Sequence, residues 1–158
     1  MKAASISEIK KDLSALSSKE VLELCLRLAR FKKENKELLT YLLYESTNEE
    51  NYITSIKEQM DEQFNEINYS NMHFAKKSFR KILRTINKYN RYSGAKSTEI
   101  ELLIYYCKKL KEAKLSISKS PQMLNLYHRQ IEKIKKTVSS LHEDLQYDYE
   151  QEISTLEI

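Results

Sequence analysis

The sequence has one glycine, one proline and no tryptophan in 158 residues. A chain of this length ordinarily carries about 11 glycines and 8 prolines. Their scarcity excludes a glycine-rich phosphate loop, a dinucleotide fingerprint, a series of tight β-hairpins and a proline-rich linker. The two cysteines, Cys25 and Cys107, are too few and too far apart for a disulfide framework. Both lie in apolar helical patterns, which predicts reduced thiols in a core. No run approaches the roughly 18 apolar residues that span a membrane. The opening Met1-Lys2-Ala3-Ala4-Ser5-Ile6 lacks the apolar stretch of an export signal, so the expected location is the cytoplasm.

What is present is helix signal. Ser5 with Glu8, and Ser17 with Glu20, have capping-box spacing and predict helix starts near residues 5 and 18. Val21, Leu22, Cys25, Leu28 and Ala29 recur every three to four residues in the second helix. A third is expected over 34–46, with Leu38, Leu39, Leu42 and Leu43 on one face. The short basic link at Phe31-Lys32-Lys33 predicts that these two fold back as a hairpin. Asn48 caps the next helix, whose stripe is Ile53, Ile56, Met60, Phe64 and Ile67. After the poor helix sequence Asn68–Asn71, another runs from Met72 to Gly94, the sole glycine, placed to end it. The helix after Ser97 is apolar on more than one face, which predicts a central position. Ser120-Pro121 opens a helix whose apolar residues, Leu124 to Leu145, follow heptad spacing. That spacing falters near Ser139-Ser140 and at Asp148, leaving one helix or two over 121–156.

These signals predict an all-α fold of six or seven helices, as a bundle or short α–α superhelix. One domain is expected over 1–158: an N-terminal helical hairpin in 1–47, longer helices in 48–138 and an acidic segment in 139–158. Glu20-Val21-Leu22-Glu23-Leu24, the stretch Asn35–Leu42 and Phe74-Ala75-Lys76-Lys77 resemble a bacterial family of small all-helical proteins known as a domain of unknown function. The resemblance implies a helical, cytoplasmic, single-domain protein, and the family brings no functional residues to carry over.

Charge is unevenly laid out. Residues 48–69 carry a net −5 and residues 139–158 a net −6, whereas 70–96 carry +8 with no acid. Within the latter, helical geometry puts Lys77, Lys81, Arg84, Lys88 and Arg91 within about 40° of one line, with Arg80 and His73 close by. Such a stripe can track phosphates, or pair with one of the acidic segments. Arg129, Lys133 and Lys136 form a shorter stripe after Pro121. His142, Asp144 and Asp148 match no established metal-ligand spacing, and neither cysteine has a neighbouring histidine in sequence. Tyr41, Tyr44, Tyr105, Tyr106 and Tyr127 are expected at the core margin, and Tyr69, Tyr92, Tyr147 and Tyr149 at the surface.

The expected function is non-enzymatic: a helical interaction or adaptor protein for a macromolecular partner, monomeric or homodimeric, with no membrane insertion, no cofactor, no metal and no catalytic residues. The alternative is nucleic-acid or other polyanion binding through Lys77, Arg80, Lys81, Arg84, Lys88 and Arg91. An enzyme with a site assembled only in space ranks third.

Overall fold

The computed structural model describes residues 2–113 and 120–156. Among these it is all helix: α1 (Ile6–Ala15), α2 (Ser18–Phe31), α3 (Lys33–Thr40), α4 (Glu49–Asn65), α5 (Met72–Ser93), α6 (Lys96–Glu112), α7 (Pro121–Val138) and α8 (Glu143–Ser154). The all-α bundle expected from sequence is therefore present. It has eight helices among the described residues rather than six or seven, because the chain breaks between Val138 and Glu143. The chain forms two compact units, one ending at Tyr44 and one starting at Glu45.

In the first unit the capping boxes form as their spacing predicts. The Ser5 and Ser17 hydroxyls accept from the Glu8 and Glu20 amides, and each glutamate accepts back from its serine N–H. Lys32 alone joins α2 to α3, and these two helices pack against each other. α3 ends at Thr40, short of the expected 46, and continues as a π-helical turn over Tyr41–Glu45. Its wider spacing departs from the 3.6-residue period, and Leu42, Leu43 and Tyr44 are exposed. Tyr44 is thus not a core-margin residue, and Cys25, also exposed, is not a core thiol. Both residues sit in a unit that buries little.

The second unit has a conventional core. Asn48 caps α4, accepting from the Asn51 amide, with Glu49 and Glu50 in the first turn. Its stripe Ile53, Ile56, Met60, Phe64 and Ile67 is buried. α6 is central, packing against α4, α5 and α7, and buries Ile100, Leu102, Leu103, Ile104, Tyr106, Cys107 and Leu110. Tyr106 donates from the core to the Phe79 carbonyl at 2.9 Å. The heptad seam of α7 is the core side of that helix, with Tyr127, Ile131, Ile134 and Val138 buried. Beyond it the chain turns, and His142 caps α8 by accepting from the Asp144 amide. Two acids of 139–158, Glu143 and Asp144, therefore open a helix and favour its N-terminal dipole.

Candidate functional site

α5 carries the most polarised surface of the second unit. Asn71 caps it by accepting from the His73 and Phe74 amides, and Gly94 ends it at φ 68, a left-handed angle that favours glycine. One side buries Ala75, Phe79, Ile82 and Ile86. On the other, Lys77, Arg80, Lys81, Arg84 and Arg91 are exposed, and Lys88 is half-buried. From Lys77 to Arg91 the stripe is about 21 Å long at 1.5 Å per residue. Aromatic rings mark both ends. Phe74 is 55% exposed and lies edge-on to His73 at 5.9 Å. The Lys88 ammonium stands 5.1 Å from the Tyr89 ring and 5.9 Å from the half-buried Tyr92.

Among the described residues neither acidic segment pairs with Lys77, Arg80, Lys81, Arg84 or Arg91. Asp61 of α4 holds Lys109 of α6 at 2.7 Å and accepts from the Tyr105 hydroxyl, also at 2.7 Å. Burial pushes the Asp61 carboxyl up, but the hydrogen bonds from Lys109 and Tyr105 outweigh it and hold the carboxyl below its ordinary value. Donating the same hydrogen bond to Asp61 raises the Lys109 ammonium. Glu101 takes Lys57 at 3.1 Å, and Glu152 of α8 takes Lys108 at 2.9 Å. Glu49 accepts from the Thr98 hydroxyl at 2.6 Å and from Ser93. Glu49 and Asp61 of α4 and Glu152 of α8 thus turn toward α6. Lys77, Arg80, Lys81, Arg84 and Arg91 form no ion pair among the described residues.

The shorter stripe on α7 is divided. Arg129 and Lys136 are exposed, but Lys133 reaches Glu99 at 2.7 Å and donates to Asn87 of α5 at 3.0 Å. That side-chain bridge from α7 to α5 borders a recess of about 440 Å³ at the end of α5, lined in part by Asn90, Arg91, Gly94, Lys96, Glu99 and Lys133. Asn90 is 6% exposed, and neither its Nδ2 nor its Oδ1 has a hydrogen-bond partner. A buried amide left so costs about 1–3 kcal/mol. Sequence reading passed over Asn90, although the signal was there. It stands four residues after Ile86, on the apolar side of α5, where a polar residue needs a reason.

Other constellations lead to less. Cys107 is buried, and burial pushes its thiol up to about 12, away from nucleophile chemistry. A recess of about 420 Å³ between α4, α6 and α8 is lined by Lys57, Glu101, Lys108 and Glu152, whose charges are paired with one another, and by no histidine or cysteine. Among the described residues no cluster of His, Cys, Asp and Glu could hold a metal ion, and no helix is long and apolar enough to cross a membrane.

The first unit offers a different surface. None of α1, α2 and α3 has a buried residue. Thirteen large apolar residues between Ile6 and Tyr44 are exposed, against four in the second unit. α2 and α3 enclose an apolar groove of about 250 Å³ lined by Cys25, Leu28, Ala29, Leu38, Leu39 and Leu42. α1 carries its own exposed apolar stripe, Ile6, Ile9, Leu13 and Leu16. Comparison with known protein families, curated proteins and solved structures finds no match to this chain.

Proposed function

We propose that the protein is a non-enzymatic interaction protein that works in the cytoplasm, and that its first unit joins it to a second copy of itself. The carrying observation is the exposed apolar surface of α1 to α3. Monomeric proteins rarely leave so much contiguous apolar area in water. A unit of this size, without a disulfide, generally needs association to be stable. The occupant is argued from the chain itself. The groove of α2 and α3 suits an amphipathic helix offering residues at i, i+3 and i+7. Ile6, Ile9 and Leu13 of α1 have that spacing, so each copy supplies both groove and helix. Light scattering of the full chain from about 1 to 200 μM is expected to show a dimer. Leu13→Glu with Leu28→Glu should return it to monomer with the second unit still folded. A wild-type monomer throughout that range overturns the reading.

A second reading, nucleic-acid binding along α5, is supported by the unpaired cations between two aromatic ends. Single strands are held by basic grooves with stacking platforms of this kind. Anisotropy of labelled single- and double-stranded oligonucleotides at about 50 and 200 mM salt tests it. Affinity should fall at least tenfold between the two salts. Lys77→Glu, Lys81→Glu and Arg84→Glu together should abolish it in a folded protein. No binding at low salt removes this reading and leaves the first untouched.

A further inference from the structure

The recess at the end of α5 combines three features that are independent in origin. Its walls carry Arg91, Lys96 and Lys133 against the single acid Glu99. Arg91 has no ion pair among the described residues. Among the described residues Lys96 donates only to the Ser140 carbonyl, at 3.2 Å, and has no ion pair. The second feature is the start of α6. Ala95 precedes it without any side-chain cap, so the first amides of a 17-residue helix lack the acceptor that α1, α2, α4 and α5 each receive. Gly94 leaves the approach open, since nothing lies within 4 Å of where a Cβ would stand. The third is Asn90, more than nine-tenths buried in the wall, with donor and acceptor both unused. Cations and free amides call for an anion of several oxygens. Asn90 lines the same recess with its amide closed off from solvent, so a turn of its side chain on binding would bring one more donor to the anion. A carboxylate has two acceptor oxygens, whereas a phosphate group has oxygens enough for the guanidinium, the ammonium and the amides together.

We propose that this recess is a phosphate-binding site formed by Arg91, Lys96, the first amides of α6 and the Asn90 side chain. The site stands on its own residues. Only the assignment of its phosphate to a nucleic-acid backbone, arriving along the stripe that ends at Arg91, rests on the reading of α5 above. The other source is a free phosphorylated metabolite.

The test is a titration of the isotopically labelled full chain with inorganic phosphate, read by the amide resonances of Gly94 to Thr98. Chloride at matched ionic strength and pH is the reference. Saturable shifts at these amides are expected with phosphate and not with chloride. Arg91→Gln with Lys96→Gln should weaken the midpoint at least about tenfold. Both residues are exposed, so the variant should keep a dispersed spectrum. Arg129→Gln with Lys136→Gln removes the same charge on α7 and should leave the midpoint unchanged. Should the recess pair fail to fold, Lys96→Gln alone carries the test, with a smaller loss. Shifts that do not saturate, or that the control pair weakens equally, overturn the site. A single-stranded oligonucleotide then identifies the source. Movement of the same amides, and displacement of phosphate, support a backbone phosphate. An oligonucleotide that binds α5 without moving Gly94 to Thr98 overturns that assignment while the phosphate site stands.

Discussion

The two units are built from the same kind of helix and end in different states. α2 and α4 each start at a side-chain cap with acids in the first turn, and each repeats apolar residues at three- to four-residue spacing. Yet α4 buries Tyr52, Ile53, Ile56, Met60 and Phe64, while α2 buries nothing. The difference lies in the neighbours. α4 packs against both α5 and α6, so its stripe is covered from two directions. α2 has only the eight-residue α3 packed closely beside it. An amphipathic pattern therefore encodes a demand for burial. Whether the demand is met depends on how many helices surround it.

The comparison gives its largest effect in a pair of truncations. Leu103 of α6 is fully buried, and Leu103→Ala should cost about 2–5 kcal/mol through lost transfer energy and the cavity left behind. Leu22 of α2 is 57% exposed, and Leu22→Ala should cost under about 0.5 kcal/mol at concentrations where the chain is monomeric. Chemical denaturation of both variants measures it. A cost at Leu22 equal to that at Leu103 would break the contrast. A cost that appears only as concentration rises would sharpen it toward self-association.

What sequence revealed divides along the same physical line. Helix starts were readable at Ser5, Ser17 and Asn48, because a cap involves residues at most three apart. The basic stripe was readable because it needs only the helical repeat. That Asp61, Glu101 and Glu152 turn to lysines at the α4, α6 and α8 contacts was not. It depends on the rotation of three helices about their axes, which only packing sets. The exposure of Cys25 and Tyr44 was hidden for the same reason, and the π-helical turn at Tyr41–Glu45 carried no composition signal. The recess at the end of α5 joins residues from α5, α6 and α7, and its one sequence signal, Asn90 on the apolar side of α5, was passed over.

A smaller effect of opposite sign comes from Asn90. Leucine has a similar volume and no polar atoms to satisfy. Asn90→Leu should therefore raise stability by about 1 kcal/mol, or roughly 4 °C in Tm, in the absence of phosphate. The same variant should bind phosphate more weakly. A gain in stability together with a loss of binding marks a residue kept for its ligand. A loss of stability would mean that the amide has a structural partner after all.

The smallest effect concerns acid. The second unit joins separate helices through Asp61–Lys109, Glu101–Lys57 and Glu152–Lys108. The described ion pair of the first unit, Lys33–Glu37, lies within one helix. The Asp61 carboxyl is held below its ordinary value, so the folded state binds its proton less readily than the unfolded chain does. Its stabilisation is complete above the unfolded value of about 4 and is lost as pH falls through the lower folded value. Because Asp61 is 39% exposed, the contribution should stay below about 1 kcal/mol. Asp61→Asn should thus lower the stability of the second unit slightly at pH 7 and match wild type near pH 2. Denaturation followed at both pH values checks the sign. An equal difference at both would place the effect in the lost hydrogen-bond geometry around Tyr105 and Lys109 rather than in charge.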